Sequence, residues 1–101
     1  MFSLPKGITV FVAIEPCDMR KQFDGLANVV RSSLRREPNS GDIFVFRNRR
    51  GNLLKMLFFD TQGFCLIAKR LDRSVFQWPK SEKESACMDA SALAKLLCEV
   101  K

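Results

Sequence analysis

The first apolar stretch runs from Ile8 to Ile14, is rich in β-branched residues and stops at Glu15-Pro16. A short run bounded by a turn signal reads as a buried strand rather than a helix. From Met19 the period changes. Met19, Phe23, Leu26, Ala27, Val30 and Leu34 recur at three- and four-residue steps, with Arg20, Lys21, Asp24, Asn28, Arg31 and Arg35 on the other faces. That spacing predicts an amphipathic helix. Asp18 is placed to cap it, its carboxylate accepting from the free N–H groups of the first turn, although Lys21 stands where a capping box needs Glu or Gln. Gly25 costs about 1 kcal/mol relative to Ala within a helix, which points to a close packing contact. Pro38-Asn39-Ser40-Gly41 ends the segment.

Four further strands are expected from Ile43 to Arg47, Leu53 to Phe59, Phe64 to Leu71 and Val75 to Trp78, parted by residues 48–52, 60–63 and 72–74. Connections this short imply an antiparallel meander. Pro79 closes it and residues 80–85 read as a solvated loop. Asp89 then caps a last helix whose apolar face is Leu93, Leu96, Leu97 and Val100. The order β-α-β-β-β-β-α predicts one α+β domain over residues 1–101, a mostly antiparallel sheet with both helices packed on one face.

Composition narrows the classes. At 101 residues and 47% hydrophobic, the chain can bury a single core. No stretch approaches the roughly 20 apolar residues of a membrane span, and no charged n-region with a cleavage site precedes the first strand. A soluble, unprocessed, cytoplasmic protein is expected, with no membrane partner. The four cysteines, Cys17, Cys65, Cys87 and Cys98, form no Cys-x-x-Cys pair and the chain has no histidine. These features argue against a zinc site, and no metal or other cofactor is expected. They also remove Ser-His and Cys-His nucleophile pairs. Cys65 and Cys98 lie in apolar segments and read as small hydrophobes in a reducing compartment.

Seventeen Lys and Arg against eleven Asp and Glu give a net charge of +6, which favours polyanionic partners if the charge is clustered. The meander supplies the clustering, because alternate turns lie at opposite ends of a sheet. Residues 48–52 and 72–74 share one end; residues 60–63 and Gly41-Asp42 share the other. If the first helix runs toward Gly41, its N-terminus joins the first end. Arg20, Lys21, Arg47, Arg49, Arg50, Lys69, Arg70 and Arg73 then gather there, beside a helix terminus that favours anions. Arginine forks in the Arg49-Arg50 turn suit a DNA backbone. Against this, Glu15, Asp18, Asp24 and Asp72 neutralise part of that end, and Arg-rich turns also serve solubility. Arg35 and Arg36 belong to the opposite end, where cations offset a helix C-terminus. Without a recognition helix or zinc finger, phosphate and shape reading are expected ahead of base-edge reading.

Trp78 and Phe76 could offer an aromatic surface to bases or a partner, while strand aromatics more often belong to a core. Phe58 and Phe59 are adjacent and must face opposite sides of the sheet. With helices on one face only, one ring would be exposed or buried by a partner, which raises the expectation of a homo-oligomer. Catalysis is not expected. Two-metal phosphoryl transfer needs carboxylates converging on ions roughly 4 Å apart, yet Asp60 falls at the opposite end from Asp18 and Asp24, and no Walker loop is present.

Several blocks, in this order and spacing, resemble a known family. They are Asp18-Met-Arg-Lys21 with Phe23-Asp-Gly-Leu26, Ile43-Phe-Val-Phe-Arg-Asn-Arg-Arg50, Leu54-Lys-Met-Leu57 with Asp60 and Gly63-Phe64, Lys69-Arg-Leu71, and Phe76-Gln-Trp-Pro79. Together they resemble the small TnpB accessory proteins encoded by the second open reading frame of IS-sixty-six insertion sequences, over most of the chain. That name is shared with an unrelated RNA-guided nuclease, whose length and acidic catalytic residues this chain lacks. The resemblance implies a role in transposition beside a larger transposase that carries the chemistry. The family pattern has Trp before the Asp that follows the third strand; here Phe59 keeps the aromatic ring without the indole N–H.

Two functions are thus weighed. One is a non-enzymatic accessory that binds DNA at the element ends through the basic end of the sheet. The other is an adapter for the transposase or another element-encoded protein, anchored by Phe59 or Trp78 and steered by charge.

Overall fold

The computed structural model describes residues 7–99. Its elements are β1 (Val10–Ala13), α1 (Phe23–Ser32), β2 (Ile43–Arg47), β3 (Leu53–Phe59), β4 (Phe64–Arg70), β5 (Ser85–Met88) and α2 (Ala90–Cys98). The strands form one sheet in the order β4-β3-β2-β1-β5. β1 lies parallel to β2, with α1 as the crossover between them, and every other pairing is antiparallel. The α+β class and the mostly antiparallel five-stranded sheet therefore agree with the sequence reading.

The helices do not share a face. Alternate residues of β1 and β2 feed two separate cores. Val10, Val12, Ile43 and Val45 join Leu54, Met56, Phe76 and the α2 residues Leu93 and Leu96. Phe11, Ala13, Phe44 and Phe46 join Leu57 and the α1 residues Leu26, Ala27 and Val30. The central strands carry apolar side chains in unbroken runs rather than alternation, the pattern of strands covered on both sides. One helix cannot cover both, so α1 takes one face and α2 the other. With both faces covered, Phe58 and Phe59 are each half-buried.

The fifth strand is also a different segment. Phe76 makes only an isolated bridge, donating its N–H to Gly51 O at 2.9 Å. Residues 75–78 instead turn Phe76 and Trp78 onto the α2-side core. The strand is Ser85–Met88, opposite β1 with Val10 facing Met88 and Ala13 facing Ser85. It begins at the last residue of the expected loop, and short, small residues gave little hydrophobic signal.

α1 starts four residues later than the periodicity implies, with Gln22 at its N-cap and no side-chain cap. Asp18 organises the turn before it instead. At the other helix the expected cap is present: Asp89 Oδ1 accepts from Ala92 N–H at 2.8 Å. Leu93, Leu96 and Leu97 pack inward, and Val100 lies outside the described residues. Beyond α1, Arg35 adopts a left-handed backbone (φ 57°) and Arg36 holds its guanidinium 3.9 Å from the Phe11 ring centre. Arg36 thus covers the α1-side core with a cation–π contact rather than answering a helix terminus.

Candidate nucleic-acid interface

The β2–β3 turn is built around one side chain. Asn48 Oδ1 accepts the N–H groups of Gly51 (2.8 Å), Asn52 (3.1 Å) and Leu53 (3.1 Å), and its Nδ2 donates to Asn52 Oδ1 (2.7 Å). Gly51 has φ 84° and a Cβ there would meet Val75 only at an ordinary 3.7 Å, so conformation rather than space asks for glycine. Leu71 N–H to Asn52 O (2.7 Å) and Phe76 N–H to Gly51 O tie the turn to the chain beyond β4. Arg49 and Arg50 project from this fixed backbone into solvent. Among the described residues neither makes a hydrogen bond or ion pair.

Arg70 lies beside the turn, opposite Leu53 across the β3–β4 ladder, and is exposed. Arg73 follows in the next turn. Its Nε is 3.9 Å from Asp72 with both side chains more than nine-tenths exposed, a pair worth little in solvent. These four arginines form the exposed part of the basic end, with Arg73 weakly paired to Asp72.

Two of the eight expected cations have internal tasks. Arg47 donates through Nη2 (2.9 Å) and Nε (3.3 Å) to Ile14 O, and its guanidinium sits 5.7 Å from the Trp78 ring centre. Lys69 Nζ donates to Leu97 O at 2.8 Å, meeting a carbonyl at the C-terminal turn of α2, where a cation also opposes the helix dipole.

The remaining pair, Arg20 and Lys21, is brought to the same end by a residue that sequence reasoning missed. Lys55 on β3 is 7% exposed, and its Nζ donates to Met19 O (2.8 Å) and Lys21 O (2.9 Å). A lone lysine inside an otherwise apolar strand was the available signal, since a buried ammonium must find acceptors. Cys17 N–H, bonded to Arg47 O at 2.9 Å, holds the same loop against β2. In the turn itself Asp18 accepts from Arg20 N–H (2.9 Å), Nε (3.0 Å) and Nη2 (2.9 Å). Those bonds from Arg20 pull the Asp18 carboxyl down to about 2. Arg20 is thus neutralised locally, while Lys21 is exposed with its stem against Gly25, where a Cβ would lie 3.0 Å away. Gly25 is the close contact its cost implied. Burial pushes the nearby Cys17 thiol upward, away from reactive thiolate.

The two aromatic candidates are half-buried. Trp78 donates Nε1–H to Ala13 O at 2.7 Å and stands edge-on to Phe76 at 6.5 Å. Phe59 stands edge-on to Phe64 at 5.1 Å. Of the acidic residues, Asp60 is at the opposite end, its Oδ1 accepting from Gln62 (2.9 Å) and Gly63 (3.0 Å), which lowers its pKa. Among the described residues no group of three His, Cys, Asp or Glu could hold a metal, and no helix is long and apolar enough to cross a membrane.

Comparison with known proteins extends this picture. The model of a family described as IS66 Orf2 like protein matches residues 8–101. The chain is 43% identical over 96 residues to the uncharacterized protein y4hO of Sinorhizobium fredii (strain NBRC 101917 / NGR234), covering 93% of this chain and 84% of that protein. It is 37% identical over 79 residues to y4jC of the same strain, covering 78% and 68% respectively. No solved structure matches.

Proposed function

The chain belongs to the IS66 Orf2 like family of insertion-sequence accessory proteins, and on that premise we propose that it acts in transposition without catalysing it, binding DNA through the Arg49–Arg50 end of its sheet. The observation that carries this reading is the pair of exposed arginines without counter-ions on a turn held by Asn48. Arginines carried on a fixed backbone lose less freedom on meeting phosphate than arginines on a mobile loop. Arg70 and Arg73 extend the positive surface along the β4 side of the turn, and Lys21 adds an exposed cation from the segment held by Lys55. Such contacts position a duplex without reading its sequence, so discrimination among DNAs would come from shape. The transposase of the element remains the expected source of chemistry and a further partner.

Fluorescence anisotropy tests the reading, with a labelled element-end duplex, a scrambled duplex and a single strand titrated at several salt concentrations. Binding is expected to weaken steeply with salt. Arg49→Ala with Arg50→Ala is expected to weaken all probes alike and to reduce the slope of log affinity against log salt by about 2, roughly 0.9 per lost phosphate contact. The Asn48 network uses backbone groups, so the double variant keeps its fold. Unchanged affinity in that folded variant overturns the assignment. The adapter reading draws on Phe59 and Trp78, whose rings and indole N–H are already engaged by Phe64, Phe76 and Ala13, so less surface supports it.

A further inference from the structure

β4 ends the sheet, and its outer edge has no partner among the described residues. The hydrogen bonds to β3 fix which groups face outward. Leu71 N–H donates to Asn52 O and Asp60 N–H to Gly63 O, so odd-numbered residues of β4 turn toward β3. In an antiparallel ladder the alternate residues point the other way. The N–H and C=O groups of Phe64, Leu66, Ala68 and Arg70 therefore face solvent.

This edge has little of the usual protection. The strand is seven residues long, unbroken in register from Phe59↔Phe64 to Leu53↔Arg70, and contains no proline or bulge. Ile67, at its middle on the α2 face, is one of the few large hydrophobics left exposed (37%). A long regular edge of this kind is a template for another strand.

Its charge pattern selects the partner. Lys69 and Arg70 lie at one end of the strand and Asp60 precedes the other, with Cys65 Sγ 3.6 Å from Asp60 Oδ2. Parallel pairing with a like strand would set the cations side by side. Antiparallel pairing sets the cations of one strand beside the acidic end of its mate. We propose that β4 is a self-association edge, pairing antiparallel with β4 of a second copy about a two-fold axis at Ile67.

That register is the one that pairs all seven residues and all four outward-facing ones. Arg70 then opposes Phe64 of the mate, where a cation–π contact is available. Lys69 opposes Cys65 and its bonded Asp60 carboxylate, Leu66 opposes Ala68, and Ile67 meets Ile67. On the order of eight backbone hydrogen bonds join the copies. The two-fold closes at the dimer, so the sheet does not propagate through this edge.

The test uses the full chain without nucleic acid, so its result stands apart from the DNA reading. Sedimentation velocity from about 1 to 200 μM is expected to pass from monomer to dimer, as befits an interface near the small end of the known range. Ala68→Pro removes only an outward N–H, a change an edge strand tolerates. It is expected to leave the circular dichroism spectrum intact and the protein monomeric throughout. A second measurement fixes the register without relying on that variant. In a background with all four native cysteines changed to serine, Ile67→Cys sits in a non-hydrogen-bonded pair about 4.5 Å across, within disulfide reach. It is expected to form disulfide-linked dimers under mild oxidation, and Ala68→Cys is not. A monomer at every concentration, a folded Ala68→Pro protein that dimerises like the parent, or equal cross-linking at both positions overturns the proposal.

Discussion

At one end of the β2–β3–β4 meander, Asn48 gathers three backbone N–H groups onto its Oδ1; at the other, Asp60 gathers two onto its own. Both turns rely on a short side chain that mimics backbone acceptors. The first organiser is neutral and leaves Arg49 and Arg50 uncompensated. The second is charged and stands among Thr61, Gln62 and Gly63 with no cation in the turn. The choice of Asn at one end and Asp at the other helps polarise the sheet along its strands. A third turn, at Asp18, mixes the two modes, since its carboxylate both accepts a backbone N–H and pairs with Arg20.

Removing the organiser of a turn tests how much structure each one holds. The largest loss is expected from Lys55→Met, which leaves the Met19 and Lys21 carbonyls without their partner at a buried site and frees the Asp18 turn from β3. A destabilisation of about 2–4 kcal/mol in urea unfolding is expected, with the slope of the transition retained. Asn48→Ala should cost about 2 kcal/mol, because three N–H groups lose a half-buried acceptor. An equal stability for this variant and the parent would mean that the backbone alone sets the turn.

Charge exchange sharpens the comparison with smaller effects. Asn48→Asp keeps the acceptor, loses the bond to Asn52 Oδ1, and places a carboxylate beside Arg49 and Arg50. It is expected to fold, to lose about 1 kcal/mol, and to bind duplex DNA several-fold more weakly at low salt. Asp60→Asn is expected to change stability least at neutral pH and to show itself in acid. Hydrogen bonds from the Gln62 and Gly63 N–H groups depress the Asp60 pKa. Its contribution is therefore present above the unfolded carboxylate pKa and is lost as pH falls through the folded one. Stability measured from pH 6 down to about 2 should fall less steeply in Asp60→Asn than in the parent; Asp18, held to about 2 by Arg20, contributes over the same range in both.

What could be read from the chain follows from how local each determinant is. β2, β3, β4 and the Asp89-capped α2 rest on nearby periodicity and turn residues, and the sequence reading matches them closely. The clustering of basic residues followed from the alternation of turns. The internal uses of Arg47 and Lys69 did not, because their acceptors, Ile14 O and Leu97 O, belong to distant segments. The same holds for Lys55. The two-sided covering of the sheet is visible in Val10-Phe11-Val12-Ala13 and Ile43-Phe44-Val45-Phe46, whose lack of alternation outweighs the expectation of a single helical layer. β5 was obscured because Ser85-Ala-Cys-Met88 draws its pairing from β1 rather than from its own composition.

The position of β1 between β2 and β5 also dictates an order of assembly. The β2–β3–β4 ladders close across short turns and can form early. β1 must await the α1 crossover on one side and, on the other, a strand that lies near the opposite end of the described chain. Closing that long loop is the slow, entropically costly step. During synthesis β1 precedes the other described strands yet is completed after them, and one edge of Val10–Ala13 lacks its described partner until Ser85–Met88 has emerged.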